Sequence, residues 1–422
     1  MAKIAKMGQW GREVRLSVIG VGQRGLMQVR TLLSMPDVKI AAICDSYQDR
    51  VEAACAECEK TQGFRPKALS DWHEAVALED AEAVVVFTSW QTHVRFACEA
   101  MKAGKYVGME VGGASSLEEC WKLVRTSEET GMPCMMLENC CYGKREMAAL
   151  NMVRLGLFGE VVHAEGGYLH DLRDEIGGGD INRHYRQNNF HRRNGELYPT
   201  HELGPIAKCL GINRGNRMLS LSAIASKAAG LRSWYRDHRK GDPLCDSQIN
   251  EGDIVTTMIK CANGETISLK HDCSLPRPYS RGFLVQGTKG LWQEDGERVF
   301  FEGMSPVHEG EWTHEWESEK GYIEKYKHPL WKEYERFGLR EGHDGMDYLV
   351  LRAFVEAIQA RRQTPIDVYD AASWMAVTAL SESSVAMGGL PVAFPDFTDG
   401  LWINRPDHDD SMFTLETIPE SV

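Results

Sequence analysis

The sequence lacks several features that would place it in whole classes of protein. No stretch reaches the roughly 18 consecutive apolar residues of a membrane span, so we expect no membrane partner. Basic residues are not in excess: 48 Lys and Arg stand against 61 Asp and Glu, a net charge of −13. A nucleic-acid binder needs a basic face, so we expect no nucleic-acid partner. The remaining composition is that of a globular protein.

Cysteine is sparse and is not arranged as a disulfide framework or a metal site. Twelve cysteines are spread over 422 residues, and Cys55 with Cys58 forms a C-x-x-C that lacks a second pair at zinc-finger spacing. The adjacent Cys140–Cys141 pair is also expected to be reduced. The His170–Asp171 pair belongs to no larger cluster at metal-ligand spacing, so the sequence predicts no metal.

The N-terminal segment lacks the apolar core of a signal peptide. Lys3 and Lys6 are followed by no continuous apolar run before charge returns at Arg12 and Glu13. There is also no N-x-[ST] acceptor for N-glycosylation. We therefore expect a cytoplasmic location.

A glycine-rich motif follows the first apolar segment of the chain. Residues 14–19 are short, apolar and β-branched, and residues 20–25 then read G-x-G-x-x-G before the helical pattern of residues 26–33. In such a motif one glycine permits the turn, one lets a pyrophosphate approach the backbone, and one permits close helix–strand packing. The sequence therefore predicts a dinucleotide-binding site, with glycines Gly20, Gly22 and Gly25.

A carboxylate stands where such a site binds the adenosine ribose. The second apolar segment, residues 39–44, ends at Asp45, 20 residues after Gly25. A carboxylate at this position accepts hydrogen bonds from the ribose hydroxyls and repels a 2′-phosphate. We therefore predict NAD rather than NADP as the cofactor; an acidic strand end without a ligand is the alternative.

Strand-like and helix-like segments alternate up to about residue 140. Further strand-like segments are residues 83–87, 106–109 and 134–139, and helical patterns separate them. This alternation predicts a doubly wound parallel sheet, in which ligands bind at the carboxyl ends of the strands. The predicted fold class is thus α/β, with an N-terminal Rossmann domain over residues 1–140.

The pattern changes after residue 140. A helix is predicted over residues 144–155, and strand-like segments then cluster with few helices between them: residues 160–168, 220–226, 253–260, 266–271 and 282–287. This clustering predicts a C-terminal α+β domain with a large open sheet over residues 141–390. We expect it to bind the substrate and to support a homo-oligomer through the sheet.

Two helices are predicted near residues 345–388, packing back on the fold. The sequence D-G-M-D at residues 344–347 resembles an N-terminal capping arrangement. Leu351, Phe354, Val355 and Ile358 follow at helical spacing and are expected in the core. Residues 391–422 are expected to form a C-terminal strap.

Several motifs in combination resemble a known family. They are E-V-G-G at residues 110–113, E-N-C-C-Y-G at 138–143, Y-P-T-H at 198–201 with L-G-P at 203–205, and G-H-D-G-M-D-Y at 342–348. The organisation resembles the Gfo/Idh/MocA oxidoreductase-like proteins, whose dehydrogenases usually have Glu-Lys-x-Pro in place of residues 110–113. The motifs are similar to those of the NAD-dependent glycosidases of glycoside hydrolase family 109, typified by α-N-acetylgalactosaminidase.

The resemblance implies functional residues in both halves of the chain. It places cofactor contacts, beyond the three glycines, at Gln23, Arg24, Asp45, Trp90, His93, Glu110, Val111 and Asn139. It places sugar contacts at Tyr168, Arg186, Tyr198, Thr200, His201 and Tyr279. Two positions depart from the family pattern: Glu202 and Asp344 each replace a glycine.

The resemblance also implies a reaction without net redox change. The sugar 3-hydroxyl is oxidised, the C2 proton is removed, the group on C1 leaves, water adds and the ketone is reduced again. We expect His201 to accept a proton near C3, and Tyr168 and Tyr198 to act near C2 and the leaving group. A purely structural hydrogen bond is the alternative for each, and His343 is a weaker candidate.

The implied function is the hydrolysis of a glycoside, with terminal N-acetylgalactosamine or a related hexose as the glycone. An NAD-dependent sugar dehydrogenase and a non-catalytic regulator that binds NAD or sugar are the alternatives. The lack of the dehydrogenase lysine after Glu110 argues against the dehydrogenase. The sequence leaves open the glycone, the anomer and the natural aglycone.

Overall fold

The computed structural model describes residues 11–306, 314–338, 342–405 and 411–417. Residues 1–10, on which the prediction of no signal peptide largely depends, lie outside this range. The chain forms two compact units, each discontinuous in sequence. Of the described residues, the first comprises 11–144, 328–338, 342–373 and 411–417, and the second comprises 145–306, 314–327 and 374–405.

The strands within the described residues are β1 (Val14–Ile19), β2 (Val38–Cys44), β3 (Lys67–Leu69), β4 (Ala83–Val86), β5 (Tyr106–Met109), β6 (Cys134–Met136), β7 (Val161–Leu169), β8 (Met218–Ala225), β9 (Val255–Cys261), β10 (Thr266–Asp272), β11 (Leu284–Gly287), β12 (Gly290–Gln293), β13 (Arg298–Phe301), β14 (Glu317–Ser318) and β15 (Val392–Ala393).

The α-helices in the same ranges are α1 (Gln23–Leu33), α2 (Gln48–Gln62), α3 (Trp72–Ala77), α4 (Trp90–Lys102), α5 (Leu117–Thr130), α6 (Lys144–Arg154), α7 (Arg173–Gly177), α8 (Gly179–Asn182), α9 (Arg186–Arg192), α10 (Thr200–Cys209), α11 (Gly230–His238), α12 (Glu319–Lys325), α13 (Pro329–Phe337), α14 (Met346–Ala360) and α15 (Val368–Ala386). Short 3₁₀ segments lie at Asn139–Tyr142, Pro243–Asp246, His343–Gly345 and Leu401–Ile403.

The first unit is built on a parallel sheet with the strand order β3-β2-β1-β4-β5-β6. Its central strands are apolar on both faces; all four residues of β4 are fully buried, for example. Continuous apolar strands are typical of a parallel sheet covered on both faces. The strand order reverses between β1 and β4, and ligands bind at the carboxyl ends of strands at such a point. The predicted α/β fold class is confirmed.

Helix α14 completes the core of the first unit. Its predicted core residues Leu351, Phe354, Val355 and Ile358 are all buried, which confirms the helical pattern. A Cβ atom built on Gly108 of β5 would lie 3.2 Å from Cε1 of Phe354, so the helix packs directly on the sheet. Only a residue without a side chain at position 108 leaves room for this aromatic ring.

The second unit is built on a mixed, open sheet with the strand order β14-β13-β12-β11-β7-β10-β9-β8-β15. Strands β7 and β10 pair in parallel at its centre, and the other pairings are antiparallel. Helix α10 packs on β7 at Gly166, where an added Cβ would lie 2.8 Å from Cβ of Glu202. The predicted α+β arrangement with a large open sheet is thus confirmed.

Several elements differ from the sequence prediction. Strands β3, β12, β13, β14 and β15 were not predicted, because two to four residues are too few to show alternation. The predicted strap of residues 391–422 is divided: its described residues up to 405 belong to the second unit, and residues 411–417 belong to the first. Residues 406–410 and 418–422 of the strap lie outside the described ranges.

The assignment of cofactor binding to residues 1–140 and of substrate binding to residues 141–390 stays a prediction about function. Among the described residues, no helix has the length and apolarity needed to cross a membrane.

We expect Phe354→Ala to destabilise the first unit. The side chain is fully buried, and its removal leaves a cavity, which typically lowers the free energy of unfolding by about 3–5 kcal/mol. Urea unfolding followed by fluorescence measures the change. Phe337→Ala, at a ring that is 40% exposed, is the matched control and should change the midpoint much less. Equal shifts in the two variants would contradict the packing described here.

Candidate functional site

The glycine motif after β1 is shaped by close approaches of the backbone. Gly20 has φ +92°, and an added Cβ would lie 2.7 Å from the carbonyl carbon of Phe87. An added Cβ on Gly25 would lie 2.2 Å from the carbonyl oxygen of Gly20. At Gly22 the nearest atom is the guanidinium Nη1 of Arg50, at 3.3 Å. The turn and the helix packing therefore require glycine, as a dinucleotide motif does.

Asp45 lies beside this motif at the end of β2. Its Oδ2 accepts a hydrogen bond from the amide of Val21 at 2.8 Å, and its Oδ1 accepts one from the amide of Tyr47 at 3.0 Å. A carboxylate has about four acceptor positions, so Asp45 keeps capacity for ribose hydroxyls. The predicted ribose acceptor is thus fixed next to the glycine turn.

Arg24, in the first turn of α1, is held by two carboxylates. Its Nε donates to Glu110 at 2.8 Å, and its Nη1 and Nη2 each donate to a different oxygen of Asp347 at 2.8 Å. Glu110 follows β5 and Asp347 belongs to α14, so the arginine joins three separate segments of the first unit. Bidentate pairs of this kind combine strength with a fixed geometry.

The electrostatics of this network favour full ionisation. Burial by itself would raise the pKa of Asp347, but hydrogen bonds from His343 and Arg24 and the charge of Arg24 lower that pKa well below its ordinary value. Burial would lower the pKa of Arg24, but Glu110 and Asp347 raise it well above its ordinary value.

Asp347 is a residue of the site that the sequence prediction missed. The capping interpretation of residues 344–347 is wrong: α14 begins at Met346, and its cap residue Gly345 makes no side-chain hydrogen bond. The carboxylate of Asp347 instead accepts hydrogen bonds from Asn139 Nδ2 at 2.8 Å and from His343 Nδ1 at 2.7 Å, in addition to those from Arg24. Two of the predicted cofactor residues, Arg24 and Asn139, therefore share this unpredicted partner.

The loop after β4 is fixed by a buried histidine. His93 is 2% exposed, and its Nε2 donates to the carbonyl oxygen of Thr88 at 2.9 Å. Burial lowers the pKa of His93 to about 4, so the ring is neutral at physiological pH. Trp90 is also buried, and an added Cβ on Gly112 would lie 2.3 Å from its Cδ1. This contact explains a glycine two residues after Glu110; Val111 between them is buried as well.

A cluster of rings forms in the second unit, where β7 ends and α10 begins. The ring of Tyr168 lies 4.4 Å from that of Tyr198 and 5.6 Å from that of His201, between centroids. Tyr198 and His201 are 4.9 Å apart in an edge-on arrangement. Thr200, which precedes His201 directly, is fully buried. The ring of Tyr279 lies 6.5 Å from that of Tyr168, between centroids, and Tyr279 is 47% exposed. The predicted sugar-contacting residues thus come together.

Arg186 supplies the positive charge of this ring cluster. Its guanidinium carbon lies 4.8 Å from the ring centroid of Tyr198 and 5.6 Å from that of Tyr168. Its Nε is 2.8 Å from Oε1 of Glu175, a residue that the sequence prediction missed. Burial raises the pKa of Tyr168 well above its ordinary value, and Arg186 only partly offsets this. Tyr168 is therefore protonated at neutral pH.

His170 is a further member of the cluster with no assigned role in the sequence prediction. Its Nδ1 is 3.4 Å from the hydroxyl of Tyr168, and its ring lies 4.8 Å from that of Tyr279. Burial, and then the charge of Arg186, lower the pKa of His170. Its position two residues after Tyr168 was the available signal, because residues i and i+2 of a strand share a face.

The two departures from the family pattern lie in different environments. Glu202 is 1% exposed on α10, where its Cβ packs against Gly166 of β7. Asp344 is exposed and has φ +54°, a backbone conformation that glycine adopts without strain.

We expect Asp347→Asn to destabilise the first unit by about 3 kcal/mol at neutral pH, because Arg24 then lacks its main buried counter-charge. The low pKa of Asp347 makes its contribution complete above pH 3.8, its ordinary value, and lost as the pH falls below that. The difference from the unsubstituted protein should therefore stay constant from about pH 7 to about pH 5 and shrink as the pH falls from about 4 towards 2.5 in urea titrations. The exposed Asp80→Asn is the control; a pH-independent difference would contradict the ion pair.

Comparisons with known proteins agree with both halves of this description. Residues 14–138 match the family described as "Oxidoreductase family, NAD-binding Rossmann fold", and residues 142–404 match "Glycosyl hydrolase 109, C-terminal domain". The fold is shared with a crystal structure of an NAD-binding oxidoreductase from Klebsiella pneumoniae (TM-score 0.69, 17% identity, 91% of this chain and 99% of that chain). It is also shared with levoglucosan dehydrogenase in complex with NADH and levoglucosan (TM-score 0.67, 18% identity, 91% and 100%).

Two curated relatives are similar over nearly the whole chain. A "Glycosyl hydrolase family 109 protein" of Parabacteroides distasonis is 43% identical over 418 residues, covering 93% of this chain and 88% of that protein. An "Alpha-N-acetylgalactosaminidase" of Tannerella forsythia is 42% identical over 416 residues, with the same coverage. The resemblance predicted from the sequence is confirmed. The chain is an enzyme with an NAD-binding Rossmann domain and belongs to glycosyl hydrolase family 109.

Proposed function

We propose that the enzyme hydrolyses glycosides of terminal N-acetylgalactosamine or a related hexose by oxidation at C3, elimination, water addition and re-reduction. The observation that carries the proposal is the cluster of Tyr168, Tyr198, His201 and Arg186, which combines proton-transfer groups with one buried cation. The relative named α-N-acetylgalactosaminidase supports this glycone.

The first unit fits NAD. Gly22 is half-buried and Gln23 is exposed at the start of α1, where a pyrophosphate would lie, and Asp45 would accept hydrogen bonds from the ribose hydroxyls. When bound, NAD supplies a hydride acceptor for the carbon at C3 and a hydride donor for the return step. We propose that Trp90, Glu110 and Asn139 line the same site.

We assign the proton transfers to residues of the second unit. His201 would accept the proton of the sugar 3-hydroxyl, because an imidazole exchanges protons near neutral pH. Tyr168 and Tyr198 would take the C2 proton and protonate the leaving group. A buried phenol is a poor base unless its anion is stabilised, and Arg186 lies over both rings. The cation would therefore lower the free energy of a transient phenolate.

A mechanism with two acting carboxylates fits this cluster less well. A conventional glycosidase places one acid and one base or nucleophile on either side of the glycosidic bond. Here Asp171 accepts two hydrogen bonds from Arg173, at 2.8 and 2.7 Å, and Glu175 pairs with Arg186. These carboxylates serve as counter-ions of guanidinium groups. They are therefore not poised for proton transfer to a sugar.

We expect Asp45→Arg to weaken NAD binding at least about tenfold, because it removes the carboxylate that would accept hydrogen bonds from the ribose hydroxyls. The affinity for NADP should rise relative to that for NAD, since a guanidinium can pair with the 2′-phosphate of NADP. Titration calorimetry of cofactor-free protein with both dinucleotides measures the two affinities. Asp80→Arg makes the same charge change at an exposed site as the control. Unchanged NAD affinity would show that Asp45 does not contact the ribose.

Turnover in D2O should place deuterium at C2 of the released sugar, because the proposed base removes the C2 proton before water adds. A glycoside methylated at O3 should not be cleaved, since no ketone forms at C3. Mass spectrometry and NMR of the products measure both. Retention of the C2 proton together with cleavage of the 3-O-methyl glycoside would rule out the elimination. Stoichiometric release of NADH from a free sugar would instead favour a dehydrogenase.

His201→Phe provides the matched variant for this experiment. It should abolish cleavage, because phenylalanine keeps the ring but accepts no proton. The dinucleotide content of the purified protein should stay unchanged, because the substitution leaves the glycine turn and Asp45 as they are. Loss of bound NAD in this variant would indicate a structural role for the histidine.

A further inference from the structure

The segment that leads to Tyr198 and His201 is held by two buried glutamates. The amide of Gly195 donates to Oε2 of Glu251 at 3.0 Å, and the amide of Tyr198 donates to Oε1 of Glu196 at 3.3 Å. The backbone of Glu196 is itself anchored: its amide donates to the hydroxyl of Ser381 at 2.8 Å. Side chains therefore satisfy three amides within four residues of this segment.

The two glutamates are removed from solvent together with a histidine. Glu196, Glu251 and His271 are each at most 1% exposed. Oε1 of Glu251 lies 3.2 Å from Nδ1 of His271. Among the described residues, Oε2 of Glu196 has no hydrogen-bond partner. A charge at such an oxygen would be strongly unfavourable, whereas a neutral carboxylic acid is tolerated.

The pKa shifts of the three groups agree with this geometry. Burial raises the pKa of Glu196 to about 8, and the amide of Tyr198 offsets it only partly. Burial also raises the pKa of Glu251 well above its ordinary value; the amide of Gly195 opposes this rise and the nearby Glu196 adds to it. Burial, followed by the charge of Arg186, lowers the pKa of His271 to about 3. These shifts favour the neutral form of all three groups at neutral pH.

Other titratable groups act on this cluster from neighbouring elements. The charge of Arg193 lowers the pKa of Glu251, and the charge of Glu382 raises it. These two residues form an ion pair at 2.6 Å, so their effects on that pKa oppose each other. Cys273 follows β10 directly. Burial raises the pKa of its thiol, the charge of Arg186 lowers that pKa, and Glu196 raises it further. Arg186 forms an ion pair with Glu175. Among the described residues, the two cations near this cluster, Arg186 and Arg193, are therefore each paired with a different carboxylate.

We propose that Glu196 and Glu251 are positioning residues that, as neutral carboxylic acids, fix the backbone carrying Tyr198 and His201. Neither glutamate transfers a proton to substrate; each accepts a backbone hydrogen bond and keeps the two rings in register with Tyr168. The effect on catalysis rests on the proposed function, whereas the neutrality and the anchoring do not.

The first test compares Glu196→Gln with Glu196→Ala. Glutamine keeps a neutral acceptor oxygen, so kcat should stay within about threefold of the original value. Alanine leaves the Tyr198 amide without its acceptor, and kcat should fall about 10- to 100-fold through misplacement of the rings. Hydrogen exchange of peptides covering residues 195–201 should accelerate in the alanine variant and not in the glutamine variant. The exchange measurement does not depend on which reaction is catalysed.

The second test follows the melting temperature against pH. Because the pKa of folded Glu196 is raised from 4.5 to about 8, folding loses stability as the pH rises through this interval. Glu196→Gln carries no titrating proton there, so its melting temperature should fall less over the same range. Glu160→Gln, at an exposed carboxylate at the start of β7, should follow the unsubstituted protein.

The outcomes separate the two proposals. If Glu196→Gln loses activity as fully as Glu196→Ala, Glu196 works as a carboxylate and the inference is wrong. Parallel melting curves for Glu196→Gln and the unsubstituted protein would also overturn it, since they would show an ionised Glu196 in the folded state. Failure of the unsubstituted enzyme to cleave any glycoside contradicts only the proposed function; unchanged exchange in Glu196→Ala contradicts only the anchoring.

Discussion

The cofactor half of the molecule depends on the charge of Arg24. Arg24 lies in the first turn of α1, and its guanidinium donates hydrogen bonds to Glu110 after β5 and to Asp347 in α14. Asp347 also accepts a hydrogen bond from Asn139, which follows β6. One carboxylate of α14 is therefore hydrogen-bonded to residues at the carboxyl ends of the sheet strands, although α14 comes much later in the sequence. A half-buried guanidinium with two acidic partners fixes orientation better than apolar contacts do, since its donors are directional.

The sequence predicted the parts of this arrangement that depend on local patterns. The glycine turn, Asp45 and the core face of α14 followed from spacing alone, because backbone sterics and helix periodicity act over a few residues. Asp347 was missed because its main partner lies more than 300 residues away in sequence, and the local D-G-M-D resembled a cap. Side-chain pairs of such separation leave no mark on the pattern of a single sequence.

The substrate half shows the same limit. Tyr168, Tyr198 and His201 were identified by resemblance, and the structure brings them together, but Glu175, Glu196 and His271 gave no sequence signal. A buried acid looks like any surface acid in the sequence. Its environment is set by strands and helices distant along the chain. Burial therefore decides which ionisation state such an acid adopts, as we propose for Glu196.

The discontinuity of the first unit constrains how the chain folds during synthesis. The sheet strands are complete by residue 144, yet Asp347 and the rest of α14 emerge about 200 residues later, at about 5–20 residues per second and hence roughly 10–40 s later. During that interval the nascent sheet lacks the aromatic ring that covers Gly108, and Arg24 lacks its main partner. The nascent chain therefore exposes apolar surface of the sheet during this interval, and exposed surface of this kind is prone to aggregation until α14 covers it.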